Sequence, residues 1–346
     1  MAILKWLLWP LSLLYGSVTA LRNWAFDHAW LKVTQSALPV VAIGNLSTGG
    51  TGKTPHTLWI GEQLSAHFQI AVLSRGYGRK TTGFQWVEVG ANAIDTGDEP
   101  LLIKQQNPEW TVAVCEKRAL GAQLLEKEGQ AELIVLDDAM QHRYLHRQLN
   151  VLLTRYDNPF YADHLLPVGQ LREARKGASR AQFCIVSHCP ASLPPEEMTK
   201  IRRKIERYTP AEVYFSHMQM KPPHFHGDRP EKEPTEVLLL AGIAQPHSFL
   251  KSMQNLWPNT QFKSMFLSDH QHFDANTEEA IIKSALRESQ GIIATTEKDF
   301  VRLPNSLREH PQLQWITCPI EVVFLENKGK EFAQKLLKHI QPFTKA

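Results

Sequence analysis

The chain has 346 residues, 43% of them hydrophobic and 21% charged, with a formal net charge of +3. That length suits two domains better than one. A charge so close to balance gives a nucleic-acid partner no support, and four scattered cysteines, Cys115, Cys184, Cys189 and Cys318, rule out a disulfide framework and suit a reducing compartment.

The first twenty residues read MAILKWLLWPLSLLYGSVTA, and four of the nine tryptophans, Trp6, Trp9, Trp24 and Trp30, crowd the start of the chain. A signal peptide would use Lys5 as its charged end and Val18-Thr19-Ala20 as its cleavage site. A spanning helix needs about 20 apolar residues, and Lys5, Pro10, Arg22 and Asn23 interrupt or close this one. An interfacial helix would set Trp and Leu at headgroup level on one side of the membrane. A Trp-rich helix packed on its own domain is the bland alternative.

The next stretch decides among these. Val40-Val41-Ala42-Ile43 is an apolar β-branched run, followed by Gly44-Asn45-Leu46-Ser47-Thr48-Gly49-Gly50-Thr51-Gly52-Lys53-Thr54-Pro55 and a helical segment from His56 to His67. Strand, glycine-rich turn, Gly-Lys-Thr and helix is the layout of a phosphate-binding loop. Backbone N–H groups from Ser47 to Gly52 would cradle phosphates, Lys53 would reach the β- and γ-phosphates, and the Thr54 hydroxyl would sit on Mg²⁺. Ser47 replaces the first glycine of the general pattern, and Gly49, Gly50 and Gly52 keep the turn tight. Export would carry an ATP-binding fold away from ATP, so a helix lying on the cytoplasmic face of a membrane is the expected role of the N-terminus.

Further along, Gln69 to Ser74 is a strand running into the basic turn Arg75-Gly76-Tyr77-Gly78-Arg79-Lys80, a natural anion site. Phe84 to Val89 alternates like a hairpin strand. Asp98 and Glu99 open the helical segment Leu101–Gln106; acidic residues there complement the helix dipole, or serve as a base and a metal partner. Thr111–Cys115 is a strand, and Glu116-Lys117-Arg118 opens a helix to Glu128. Leu133–Leu136 is an apolar strand ending in Asp137 and Asp138, the placement of an aspartate that holds Mg²⁺ directly or through water. Met140, Gln141 and His142 follow into the same cleft. Cys184 and Cys189 flank His188, but Cys184 sits inside the strand-like run Phe183–Val186, which marks a buried thiol rather than a metal ligand.

These strands and helices predict an α/β protein: a P-loop NTPase-like parallel sheet with helices on both faces, a smaller α/β C-terminal domain, and an N-terminal membrane-associated helix. The expected boundaries are a docking region at 1–30, a P-loop domain at 31–220, a Pro- and His-rich linker at 221–235 and a closing domain at 236–346. Ligands in such sheets sit at the carboxyl ends of the strands, where Thr54, Arg75, Asp98, Asp137, Asp138 and Glu173 are expected to gather.

The ordered set Gly44–Pro55, Ser74–Arg79, Gly97-Asp98-Glu99-Pro100, Asp137–His142, Leu171-Arg172-Glu173, Asp269-His270 and Thr296-Glu297-Lys298-Asp299 resembles the tetraacyldisaccharide 4′-kinase (lipid A 4′-kinase) family. The resemblance implies transfer of the ATP γ-phosphate to the 4′-hydroxyl of a tetraacyldisaccharide 1-phosphate, giving lipid IVA. It implies ATP and Mg²⁺ as cofactors, Lys53 and the loop on the phosphates, and Thr54, Asp137 and Asp138 on the metal with Glu99 and Glu173 in support. It implies an Asp98–His270 pair that readies the hydroxyl; His270-Gln271-His272 departs from the adjacent histidines of many members, so His270 is chosen over His272 by its place after Asp269. Arg75, Tyr77, Arg118, His142 and Arg172 are candidates for the head group, whose 1-phosphate needs cations. A monomer on the cytoplasmic face of the inner membrane of a Gram-negative bacterium, with no nucleic-acid partner, is expected. Two other readings stand beside this one: a membrane-peripheral P-loop ATPase used as a nucleotide switch, and a soluble sugar kinase, against which the Trp-rich N-terminus argues.

Overall fold

The computed structural model describes residues 2–227, 232–268 and 273–343, with side chains from Leu7 onward. In chain order the helices are α1 (Ala2–Asp27), α2 (Lys53–Ser65), α3 (Ala93–Thr96), α4 (Asp98–Gln106), α5 (Arg118–Glu128), α6 (Pro195–Ile205), α7 (Pro246–Leu256), α8 (Ala275–Glu288), α9 (Glu297–Arg302), α10 (Asn305–Arg308) and α11 (Gly329–Ile340).

The larger sheet is built on β1 (Val40–Asn45), whose six residues are all buried. Successive side chains of a strand point to opposite faces. Val41 and Ile43 therefore join Ile60 and Leu64 of α2 in one core layer, while Val40 and Ala42 join Ala122 and Leu125 of α5 in the other. Parallel strands covered on both faces are continuous apolar runs for this reason. β2 (Ile70–Ser74), β3 (Gln85–Trp86), β4 (Thr111–Val114), β5 (Leu133–Leu136), β6 (Leu149–Arg155), β7 (Phe183–Ser187) and β8 (Glu212–Met220) belong to the same sheet. From β8 through β7, β6, β1, β5 and β2 to β4, every neighbouring pair is parallel. Both edges are antiparallel: β3 on β4, and β14 (Ile320–Phe324) on β8.

The smaller sheet has the order β11-β10-β12-β13-β9, from β9 (His224–His226), β10 (Glu236–Ala241), β11 (Gln261–Phe266), β12 (Ile292–Thr296) and β13 (Gln314–Cys318). β9 runs antiparallel to β13 and the other pairs are parallel.

The predicted fold class matches these layers, and three expectations about boundaries need correction. The stretch 221–235 is not only a connector, because His224–His226 pairs with Thr317, Ile316 and Trp315 as an edge strand. The C-terminal stretch does not stay in one unit: β14 returns to the larger sheet, and Phe332, Leu336 and Ile340 of α11 are fully buried in its core with Phe183 and Tyr214. β8 offered an unpaired edge, and an antiparallel return strand covers it. The expected strand Phe84–Val89 forms a ladder only at Gln85–Trp86.

α1 runs without a break through Pro10. Among the described residues, no helix is long and apolar enough to cross a membrane.

Candidate active site

The phosphate-binding loop leaves β1 at Asn45 and enters α2 at Lys53. Gly49 (φ 96°) and Gly52 (φ 77°) take left-handed backbone, which glycine adopts without steric cost. At Gly52 a Cβ would also lie 2.5 Å from the terminal methyl of Met218, which would have to shift. Asn45 is fully buried and donates from Nδ2 to Thr51 Oγ1 at 2.9 Å, bracing the loop across its mouth. A polar residue closing an otherwise apolar strand was the signal for this in the sequence.

The segment after β6 doubles back along the loop. Thr48 N donates to Gln170 O at 2.8 Å and Arg172 N to Leu46 O at 2.7 Å, so Arg172 and Glu173 are carried to the loop by backbone pairing. The Arg172 guanidinium lies 3.1 Å from Asp138, and the Lys53 ammonium lies 3.8 Å from the same carboxylate. Burial works against the Asp138 charge, but Lys53 and Arg172 outweigh it and hold the carboxyl below the usual carboxylate range. Asp138 also has φ 47°, a left-handed conformation that Asp tolerates better than most residues.

Asp137 is the opposite case. It is fully buried, and Thr57 donates to its Oδ1 at 3.0 Å. Its Oδ2 has no hydrogen-bond partner among the described residues. Burial, then the negative charges of Glu99 and Asp138, push this carboxyl up to about 7. Two adjacent aspartates at one strand end are thus set apart by their surroundings, one held ionised by Lys53 and Arg172 and the other pushed toward its neutral form by burial and neighbouring carboxylates.

On the other wall, Gly97 (φ 92°) packs so closely that a Cβ there would lie 3.1 Å from the Gly76 Cα. This brings the Arg75–Arg79 turn against the start of α4. Asp98, 6% exposed, accepts from the Glu99 N–H at 2.9 Å. Lys298 of α9 stands 3.7 Å from Asp98 and 3.5 Å from Glu99. The sequence marked the Thr296–Asp299 turn but assigned Lys298 no role.

Arg118 is 2% exposed and donates to the Cys115 and Glu116 carbonyls at 3.2 and 3.3 Å. Burial pulls its pKa down to about 10, with Asp138, Arg75 and Asp137 nearby. His142 donates from Nε2 to the Glu116 carbonyl at 3.1 Å, and burial, then Arg118, lowers it to about 4. A neutral His142 beside a fixed cation is therefore the state at neutral pH. Arg75, Tyr77, Arg79, Lys80 and Glu116 line an open cavity of about 320 Å³ over this wall, and Tyr77 is exposed.

Glu173 was expected near the metal. Its oxygens are instead occupied by Arg180 at 2.7 Å, Gln141 at 3.0 Å and Asn23 of α1 at 2.9 Å. Gln141 also donates to the Asn45 carbonyl at 2.7 Å, so Glu173 supports the loop through Gln141. The expected partner His270 lies outside the described residues, as do Asp269 and His272.

α1 packs its polar face on the same cleft. Tyr15 donates to the Arg172 carbonyl at 2.7 Å, Arg22 to the Gln141 carbonyl at 3.0 Å and Ser12 to the Leu165 carbonyl at 2.8 Å. Leu7, Leu11, Leu14, Val18 and Leu21, at helical spacing on the other side, remain 54–70% exposed.

Known proteins resemble this chain over nearly its full length. The family model described as Tetraacyldisaccharide-1-P 4′-kinase matches residues 4–341. A tetraacyldisaccharide 4′-kinase of Flavobacterium johnsoniae is 38% identical, covering 99% of this chain and 98% of that protein. Its counterpart in Bacteroides thetaiotaomicron is 36% identical, covering 99% and 94%. Among solved structures, the "apo" form of LpxK from Aquifex aeolicus in complex with ATP superposes with a TM-score of 0.75 at 28% identity, covering 99% of this chain and all of that one. With a phosphate-binding loop, paired aspartates at a strand end and these relatives along its whole length, the chain belongs to the tetraacyldisaccharide 4′-kinase family and is an ATP-dependent kinase.

Proposed function

We propose that the cleft between Lys53, Asp138 and Asp98 transfers the γ-phosphate of ATP to the 4′-hydroxyl of a tetraacyldisaccharide 1-phosphate presented at the cytoplasmic face of the inner membrane. One observation carries the membrane part of this reading. Arg172 touches Asp138 with its guanidinium and Tyr15 of α1 with its carbonyl, so the nucleotide site and the helix with an apolar outer face are one residue apart. A lipid-anchored acceptor entering along α1 reaches the phosphates without leaving the bilayer surface.

The loop amides from Ser47 to Gly52 and Lys53 hold the phosphates, as backbone N–H groups at a helix start do. Thr54, Asp137 and Asp138 fit a Mg²⁺ ion: hard oxygen donors, one buried carboxylate oxygen lacking a hydrogen-bond partner among the described residues, and a carboxyl whose proton affinity is raised by burial and by the negative charges of Glu99 and Asp138. Among the described residues, no cluster of three or more protein metal ligands is preassembled, which suits an ion held by one or two carboxylates together with substrate phosphates. When bound, Mg²⁺ supplies neutralisation of the β- and γ-oxygens. Glu99 adds negative charge beside it, and Glu173 acts at one remove by orienting Gln141.

Asp98, with His270 as its expected partner, receives the proton of the 4′-hydroxyl as the bond to phosphorus forms. Arg75, Arg118 and Arg172 provide cations, and Tyr77 and His142 a donor and an acceptor, for the phosphorylated head group. The test uses γ-labelled ATP and tetraacyldisaccharide 1-phosphate in mixed micelles. Label is expected in the glycolipid; label released only as free phosphate, whatever acceptor is supplied, rejects the transfer and leaves an ATPase.

A further inference from the structure

Three successive carbonyls of the phosphate-binding loop are each held by a side chain from a different element. Arg155, at the end of β6, donates from Nη1 to Gly50 O at 2.9 Å. Ser187, at the end of β7, donates from Oγ to Thr51 O at 2.9 Å. His56 of α2 bonds from Nδ1 to Gly52 O at 2.7 Å.

We infer that Arg155, Ser187 and His56 are positioning residues that hold the loop in its phosphate-binding form before nucleotide arrives. The physical reason lies in the peptide plane. In a trans peptide the C=O of one residue and the N–H of the next point in opposite directions. Fixing the carbonyls of Gly50, Thr51 and Gly52 on the protein side therefore turns the N–H groups of Thr51, Gly52 and Lys53 the other way. A run of backbone N–H groups aimed together is an anion nest, and a nest built in advance does not lose affinity to ordering on binding.

The clamps are themselves anchored. Arg155 is fixed through Nε to Asp157 at 2.7 Å. Ser187 is fully buried. His56 is fully buried too, and its Nε2 meets Ser216 Oγ of β8 at 2.9 Å. A carbonyl accepts only, so His56 carries its proton on Nδ1 and accepts the Ser216 hydroxyl at Nε2. The ring is then held at both ends, between the loop and a strand two places from β6 in the sheet. Asp157, Ser216 and the three clamps lie outside the set of residues expected to touch nucleotide or glycolipid.

This inference rests on the nucleotide-binding role of the loop, and its test separates the two. ADP, pyrophosphate and adenosine are titrated by calorimetry, adenosine by competition, into the full-length protein and its His56→Ala, His56→Asn and Ser187→Ala variants. In His56→Ala and Ser187→Ala, ADP and pyrophosphate are expected to weaken by about tenfold, with adenosine unchanged within about twofold. The KM for ATP rises in step, while kcat at saturating ATP and the KM for glycolipid hold. His56→Asn, whose amide N–H replaces Nδ1–H, is expected to recover most of the loss. ADP binding within about twofold of wild type in folded Ser187→Ala and His56→Ala overturns the inference, as does adenosine weakening as much as ADP. If His56→Ala does not fold, Ser187→Ala and His56→Asn decide it. Wild-type protein that binds neither ADP nor pyrophosphate refutes the nucleotide reading itself.

Discussion

Lys298 places its ammonium 3.7 Å from the Asp98 carboxylate and 3.5 Å from that of Glu99. It stands on α9, directly after β12 of the smaller sheet, whereas Asp98 opens α4 beside the larger one. The contact therefore ties the proposed catalytic carboxylate to the part of the chain that carries the smaller sheet. Lys298→Met leaves Asp98 and Glu99 as neighbouring like charges and removes this tie between α9 and α4. Turnover is expected to fall by on the order of tenfold with little change in the KM for ATP. Steady-state kinetics check this, and turnover within about twofold of wild type would make the ion pair purely structural.

Asp98→Asn and Lys53→Ala should each lower kcat by on the order of 10²-fold or more, because in the proposed mechanism one removes the proton acceptor and the other the cation on the transferring phosphoryl group. His270→Ala is expected to act like Asp98→Asn, and His272→Ala to stay within about threefold of wild type. The reverse ranking of the two histidines would reassign the partner of Asp98.

Replacing Leu14 and Leu21 together by Glu sets charge into the exposed apolar side of α1 without touching Tyr15 or Asn23, which face the cleft. Vesicle sedimentation is expected to drop by on the order of tenfold or more, since each buried leucine contributes about 1.5–3 kcal/mol. ADP affinity should be unchanged. Sedimentation equal to wild type would remove this face from membrane docking.

Acid should weaken the fold partly through His226. Its ring stacks on Phe300 with centroids 4.0 Å apart, and Nε2 meets Thr317 Oγ1 at 3.0 Å. His226 lies on an edge strand with part of its ring open to solvent; desolvation of the face that Phe300 covers, then His224 and Arg308, lowers its pKa to about 4, against 6.5 ordinarily. Between those values the unfolded chain binds more protons than the folded one, so the stability tied to His226 is present above pH 6.5 and is lost as pH falls toward 4. His226→Phe keeps the stack and removes the titration. Its melting temperature should change less than that of wild type between pH 7 and pH 4.5, and an identical pH slope would reject the assignment.

What the sequence determined by itself was local. An apolar run before Gly49–Thr54 had to be a buried strand feeding a phosphate loop, and Leu133–Leu136 had to end with Asp137 and Asp138 at the same sheet edge, because parallel strands start and stop in register. The ordered motifs then named a kinase family that the full-length relatives bear out. The rest depended on contacts between distant residues, which leave no local period. Nothing near Ile320–Phe324 shows that it will leave the smaller unit to cover the β8 edge. Nothing near Glu173 shows that Arg180, Gln141 and Asn23 will saturate it. Only the tertiary structure decided these, because side-chain hydrogen bonds and edge pairing depend on which surfaces packing brings together, and those surfaces here lie more than a hundred residues apart in some cases, as for Asn23 and Glu173.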